Sequence, residues 1–185
     1  LGGLSLTLDG RPVDDLVSRR TEALLVYLAC ARRPQSREAL ADLLWDERDQ
    51  TQAAGNFRVI VNSLRRSLGA FVEANRYSIG MNLASAFTLD VADFEASAQA
   101  ALRDASKPDR ALLFQAAGLY RGDFLAGLSL PEGRRFEEWV MLERERLRRL
   151  QIEVLDALVD AAGRDRHHRA GVDLATRLLQ IDPLR

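Results

Sequence analysis

The sequence predicts a mainly α-helical protein in which small β-hairpins accompany the helices of the first half and only helices follow in the second. Its 185 residues are 47% hydrophobic and 29% charged, the proportions of a soluble globular protein. Apolar residues recur at spacings of three and four along most of the chain, whereas strand-like patterns occur only before Asp90. This change of pattern predicts two domains, residues 1–90 and residues 91–185.

The chain opens with a predicted β-hairpin. Leu4, Leu6 and Leu8 alternate with polar residues, which is the period of a strand. Asp9 and Gly10 then suit the two turn positions that need positive φ. The return strand contains a proline, so we expect it at a sheet edge.

Three helices follow in the predicted first domain. Pro34 must end the first helix, Ser36 is a good N-cap for the second, and Gly69 ends the third. The predicted helices cover about residues 20–31, 37–45 and 51–68.

The third helix carries an apolar stripe at spacings of three and four, which predicts the face turned to the core. The stripe consists of Phe57, Ile60, Val61, Leu64 and Leu68. After this helix, two short β-prone runs at 71–73 and 77–79 flank a turn and predict a second hairpin. A third β-prone run covers residues 86–89.

Every element predicted after Asp90 is a helix. The last two predicted helices are similar, imperfectly, to a tetratricopeptide pair, and such a pair needs stacked neighbours to bury its faces. The chain begins without Met and stops shortly after an Asp-Pro pair, so we expect a truncated domain and an N-terminal fragment of a longer protein. The apolar face of the last helix is then expected to be uncovered within the monomer, or buried against another copy, around Leu174, Leu178 and Ile181. The predicted helices cover about residues 91–104, 108–120, 134–162 and 166–181.

Charge is distributed unevenly along the chain. The net charge of −1 excludes a globally basic nucleic-acid binder but leaves room for a basic face. Between Asp49 and Asp90 the only acid is Glu73. The same window contains four arginines, Arg58, Arg65, Arg66 and Arg76.

The polar face of the third helix is the most informative feature of the sequence. Arg58, Asn62, Arg65 and Arg66 lie opposite the apolar stripe, at relative positions 0, 4, 7 and 8. Arginine can bond guanine or phosphate and asparagine can bond adenine, and a helix fits the major groove, which is about 12 Å wide. Arg76, near the tip of the second hairpin, could reach the minor groove or the DNA backbone.

A solvated arginine face is the alternative interpretation of this helix. The order of hairpin, three helices and hairpin favours DNA binding, because a wing beside a recognition helix is a known docking geometry. The predicted fold of the first domain is therefore a winged helix-turn-helix, followed by an all-α, tetratricopeptide-like domain. Since Arg65 and Arg66 are adjacent, we expect one to face DNA while the other pairs with an acid of the second helix.

No catalytic motif accompanies this pattern. The chain has no phosphate-binding glycine loop, no paired metal-ligand histidines on a helix and no nucleophile elbow. His167 and His168 are adjacent and cannot chelate one metal from one helix face. Cys30 is a single cysteine, typical of a reducing cytosol. The sequence thus predicts a cytoplasmic protein that is not an enzyme and has no catalytic residues, cofactor, metal or membrane partner.

The motifs resemble those of SARP-type bacterial regulators. Residues 18–69, with Leu43-Leu44-Trp45 and the Leu-Arg-Arg-Ser-Leu-Gly element at 64–69, look like their winged helix, which is similar to response-regulator effector domains. The segments LDVADFEA, LYRGDFLAGL and FEEWVMLERERLRRL resemble the bacterial transcriptional activator domain that accompanies it. Many relatives carry Gly-Tyr in the wing, whereas this chain has Arg76-Tyr77.

The resemblance implies a sequence-specific transcriptional activator. Its expected partners are double-stranded DNA, RNA polymerase and a second copy on DNA repeats, and its expected DNA contacts are Arg58, Asn62, Arg65, Arg66 and Arg76. The rival hypothesis is a tetratricopeptide-like protein-interaction scaffold in which the winged helix is only structural.

Overall fold

The computed structural model describes residues 1–13, 16, 18–104 and 106–184. They form two compact units. One consists of Leu1–Gly3, Thr88–Ala126 and Leu142–Arg185 and is called the helical unit here; the other consists of Leu4–Phe87 and Gly127–Met141 and is called the winged unit. The division into domains 1–90 and 91–185 stays a prediction.

The winged unit holds the predicted hairpin, three helices and second hairpin in that order. The first hairpin turns at Asp9 and Gly10, both with positive φ, as their sequence predicts. A single 3₁₀ turn, Gly69–Phe71, joins the third helix to the second hairpin. The elements are β1 (Thr7–Leu8), β2 (Arg11–Pro12), α1 (Arg19–Ala31), β3 (Gln35–Ser36), α2 (Arg37–Leu44), α3 (Gln50–Leu68), β4 (Val72–Ala74) and β5 (Ser78–Met81).

Side-chain caps define where the three helices begin. Ser18 accepts from the backbone N–H of Thr21, and Ser36 accepts from that of Ala39. The carboxylate of Asp49 accepts from two backbone N–H groups at the start of α3. These caps satisfy donors that have no partner inside the helix, so the cap residues determine where each helix begins.

Three strands form the sheet of the wing in the order β3-β5-β4. β4 and β5 are the predicted hairpin, whereas β3 was not predicted and pairs Gln35 with Ile79. A Cβ at Gly80 would lie 3.0 Å from the Cα of Pro34, so glycine allows β5 to pass close to the loop before β3. The β-prone run at 86–89 is not a strand, because no neighbouring strand pairs with it among the described residues.

The core of the winged unit lies where α1, α2 and α3 meet. Leu24 and Leu28 of α1, Leu44 of α2 and Leu64 of α3 are fully buried. Trp45, directly after α2, is only 4% exposed, and the guanidinium of Arg20 lies 5.4 Å from the centroid of its ring.

Residues 127–141 pack with this core although they are distant in sequence. Tyr27 and Trp139 meet edge to face with their ring centroids 4.9 Å apart. In the same segment, Glu132 pairs with Arg48 at 2.8 Å, and the carbonyl oxygen of Pro131 accepts from the Arg20 guanidinium at 2.5 Å. The segment includes the first eight residues of the long helix α6 (Arg134–Arg164).

The helical unit contains α4 (Asp90–Leu102), α5 (Arg110–Leu119), the rest of α6, and α7 (His168–Ile181). Its core includes Phe94, Leu113, Leu147, Leu155 and Leu158, each at most 1% exposed. The predicted helices are all present.

The apolar face of α7 differs from its prediction. Leu174 and Leu178 are buried within the monomer, at 6% and 7% exposure, and Ile181 is half-buried, so the expectation of an uncovered face at these residues was wrong. They follow helical spacing on the side of α7 on which Gly171 lies close to Ala162 of α6. The large apolar side chains that α7 exposes are those of Val172 and Leu179 instead.

Replacing Trp45 by alanine should lower the free energy of unfolding of the winged unit by about 3–5 kcal/mol, because the indole is buried and leaves a cavity. Urea unfolding followed by circular dichroism measures the loss. Phe114→Ala is the matched control, since that ring is 47% exposed. A loss for Trp45→Ala no larger than the control's would contradict the packing described.

Candidate nucleic-acid interface

The outer face of α3 is fixed by the burial of its inner face. The five stripe residues predicted from the sequence are all buried. With about 100° per residue, Arg58, Asn62, Arg65 and Arg66 fall within about 100° of arc on the opposite side. All four are exposed, so the structure presents these predicted residues together on one helix face.

The arginines of this face carry uncompensated charge. Within the described parts of the chain, Arg58, Arg65 and Arg66 make no ion pair or hydrogen bond with the protein. The expectation that Arg65 or Arg66 would pair with an acid of the second helix was therefore wrong.

Three acids on and just after α2 have other partners. Glu38 accepts from the side-chain amide of Gln50 at 2.8 Å. Asp42 pairs with Arg135 at 3.5 Å, and Asp46 pairs with Arg134 at 3.7 Å. These partners lie in residues 127–141 or at the start of α3, so none of the three acids is paired with an arginine of the outer face.

A surface depression runs along the C-terminal half of this face. It brings together three of the predicted residues and adds Val59, which sequence reasoning did not single out. Its lining consists of Val59, Asn62, Arg65, Arg66 and Gly69. The guanidinium and amide groups of this depression can donate hydrogen bonds to a ligand. The one apolar side chain can contact a small apolar group of the same ligand.

The turn of the wing is held by one asparagine. Asn75 Oδ1 accepts from the backbone N–H groups of Tyr77 and Ser78, both at 2.8 Å. At the tip, the guanidinium of Arg76 lies 4.4 Å from the centroid of the Tyr77 ring, and both side chains are exposed. Arg76 is thus at the wing tip, as its sequence position predicts, with a partly oriented side chain.

Arg37 links the wing turn to α3. Its guanidinium lies 5.4 Å from the centroid of the Phe57 ring and donates to the carbonyl oxygen of Asn75 at 3.3 Å. Its backbone N–H donates to Tyr77 O at 2.9 Å. Arg37 therefore positions the wing relative to α3, a role without a sequence signal because the contacts are long-range.

Two small residues lie on the same face one turn before Arg58. Ala54 and Gly55 are exposed there, and a Cβ at Gly55 would meet no atom within 4 Å. The fold itself does not need a glycine at this helical position, which costs about 0.5–1 kcal/mol relative to alanine. The backbone of α3 is consequently accessible to a close external surface.

Comparisons with known proteins match this chain to a family and to a solved structure. Residues 89–185 match the model of the bacterial transcriptional activator domain, and the chain belongs to that family. A solved structure titled "Mycobacterium tuberculosis EmbR in complex with low affinity phosphopeptide" matches with a TM-score of 0.59 and 22% identity, over 98% of this chain and 52% of that one. A search of curated proteins found no match.

These matches confirm the resemblance to SARP-type regulators. At 22% identity the structural likeness shows the fold, and the chain spans about half the length of the solved protein. The family is that of bacterial transcriptional activator domains, so the match points to a role in transcriptional regulation. In the described part of the chain no helix has the length and apolar character to span a bilayer, and no cluster of side chains suited to a metal ion occurs there.

Asn75→Ala should loosen the wing by removing the acceptor of two backbone N–H groups. We expect faster amide hydrogen exchange at Tyr77 and Ser78 and a stability loss of about 1–2 kcal/mol. Exchange measured by NMR tests this, with Asn62→Ala as the control because that side chain is exposed on α3. Unchanged protection of both amides in Asn75→Ala would show that the turn does not depend on the asparagine.

Proposed function

We propose that this regulator binds double-stranded DNA with α3 in the major groove and with the β4–β5 wing against the adjacent backbone or minor groove. The observation that carries the proposal is the exposed, unpaired set of guanidinium groups on one face of α3. The residues assigned to DNA contact are Arg58, Asn62, Arg65, Arg66 and Arg76.

The chemistry of the face suits base edges as well as phosphates. A guanidinium can bond the O6 and N7 atoms of guanine bidentately, and the Asn62 amide can bond adenine N6 and N7. The same arginines can instead bind phosphate and set the position of the helix on the duplex. Because the net charge of the chain is −1, attraction to DNA must come from this local face.

The wing supports a second contact. Arg76 projects from a turn that Asn75 and Arg37 hold in place, so its position relative to α3 is set before DNA binds. Tyr77, exposed and stacked with Arg76, restricts the rotamers of the guanidinium. Preorganisation of this kind lowers the entropy lost on binding.

Family membership extends the proposal to activation. The helical domain would contact a partner such as RNA polymerase or transmit a signal, and two copies would bind DNA repeats. The rival function, a tetratricopeptide-like scaffold with a structural winged helix, predicts little affinity for DNA at any salt concentration.

Binding of a random duplex at several salt concentrations tests the basic face. The logarithm of affinity should fall linearly with the logarithm of salt concentration, by about 0.9 per phosphate neutralised. Arg65→Ala or Arg66→Ala should reduce the slope by about 1 if the residue binds phosphate, or cost about 1–3 kcal/mol on a selected sequence if it reads a base.

Arg103→Ala is the matched control, because it removes an exposed arginine from the helical unit. It should leave both the salt slope and the affinity for the selected sequence unchanged. Wild-type affinity for DNA that is weak and independent of salt would support the scaffold instead. Equal effects of all three arginine variants would show that α3 does not contact DNA.

Gly55→Leu tests whether the α3 surface around Gly55 approaches the groove. The side chain has open space in the free protein, so the fold should be retained while DNA affinity falls at least about tenfold, or about 1.4 kcal/mol. Gly118→Leu, at a helical glycine of α5 with equally open surroundings, is the control. Equal affinities of the two leucine variants would mean that this part of the α3 surface stays away from DNA.

A further inference from the structure

Val59 is an apolar side chain at a position where the fold gives it nothing to pack against. It is 63% exposed and lies beside Arg66, at the edge of the α3 face that carries exposed arginines among the described residues. A β-branched residue is also a weaker helix former than the straight-chain residues common at exposed positions. Neither packing nor helix stability therefore explains a valine here.

The surroundings of Val59 are the groups assigned to base recognition. Val59 and Arg66 are seven residues apart, so they lie about 20° apart around the helix axis. Asn62 is the i+3 neighbour of Val59 on the helix surface. All three line the same depression, which places one isopropyl group among hydrogen-bonding groups.

We infer that Val59 contacts the 5-methyl group of a thymine and so determines part of the operator sequence, an inference that rests on the proposed binding of α3 in the major groove. The thymine methyl is the apolar group that the four base pairs offer in that groove. The bases contacted by Asn62 or Arg66 would flank this thymine.

The apolar area of one valine argues against a protein occupant. Protein-binding patches typically expose a few hundred Å² of contiguous apolar surface, whereas the neighbours of Val59 in the depression are two arginines, an asparagine and a glycine. A methyl group beside bases that present hydrogen-bond acceptors matches this lining in both size and polarity.

The test uses a duplex selected from a random pool by the wild-type chain. Each thymine of that duplex is replaced in turn by deoxyuridine, which removes only the methyl group. Wild type should lose about fourfold in affinity at one position, the value expected for one buried methyl group. Val59→Ala should bind the thymine duplex about fourfold more weakly and be insensitive to that replacement.

Val172→Ala is the matched control, because Val172 is 65% exposed on α7 in the helical unit. It should keep the full sensitivity to deoxyuridine. Sensitivity that persists in Val59→Ala, or a selected duplex with no sensitive thymine, would overturn the assignment while DNA binding itself stands. Failure of the wild-type chain to select or bind any duplex would overturn the proposed function and this inference with it.

Discussion

Burial of one apolar stripe on α3 determines which face of that helix the winged unit presents to solvent. The stripe faces the core formed with α1 and α2, where Leu24, Leu44 and Leu64 are inaccessible to solvent. Rotation of α3 about its axis would expose the stripe, at roughly 25 cal/mol for each Å² of apolar surface. The arginine face is therefore held outward by the hydrophobic effect, without any contact of its own.

The electrostatic potential of the arginine face depends on which cations pair with the nearby acids. Asp42 and Asp46 pair with Arg135 and Arg134, from a segment far along the chain. The exposed Asp42–Arg135 pair adds little stability, so its main consequence is for charge distribution. The two pairs compensate the carboxylates of Asp42 and Asp46 with cations from outside α3, which leaves the field of Arg58, Arg65 and Arg66 available to a polyanion.

Local patterns predicted the helices and the outer face, because periodicity and caps such as Ser36 and Asp49 act over a few residues. Features that depend on distant neighbours were missed. β3 has two residues and becomes a strand only beside β5, and the run at 86–89 stays irregular without such a partner. The packing of Trp139 on Tyr27 and the contacts of Arg37 with the wing are equally long-range. Val59 could have been found, since it is an apolar residue on the predicted polar face.

Chemical protection of a bound duplex tests the central claim most directly, because it reports which groove α3 occupies. Dimethyl sulfate methylates guanine N7 in the major groove and adenine N3 in the minor groove. With the wild-type chain bound to its selected duplex, guanine N7 atoms should be protected at the site of α3, and Arg66→Ala should remove or weaken protection there. Undiminished methylation of every guanine N7 under saturating protein would contradict a recognition helix in the major groove.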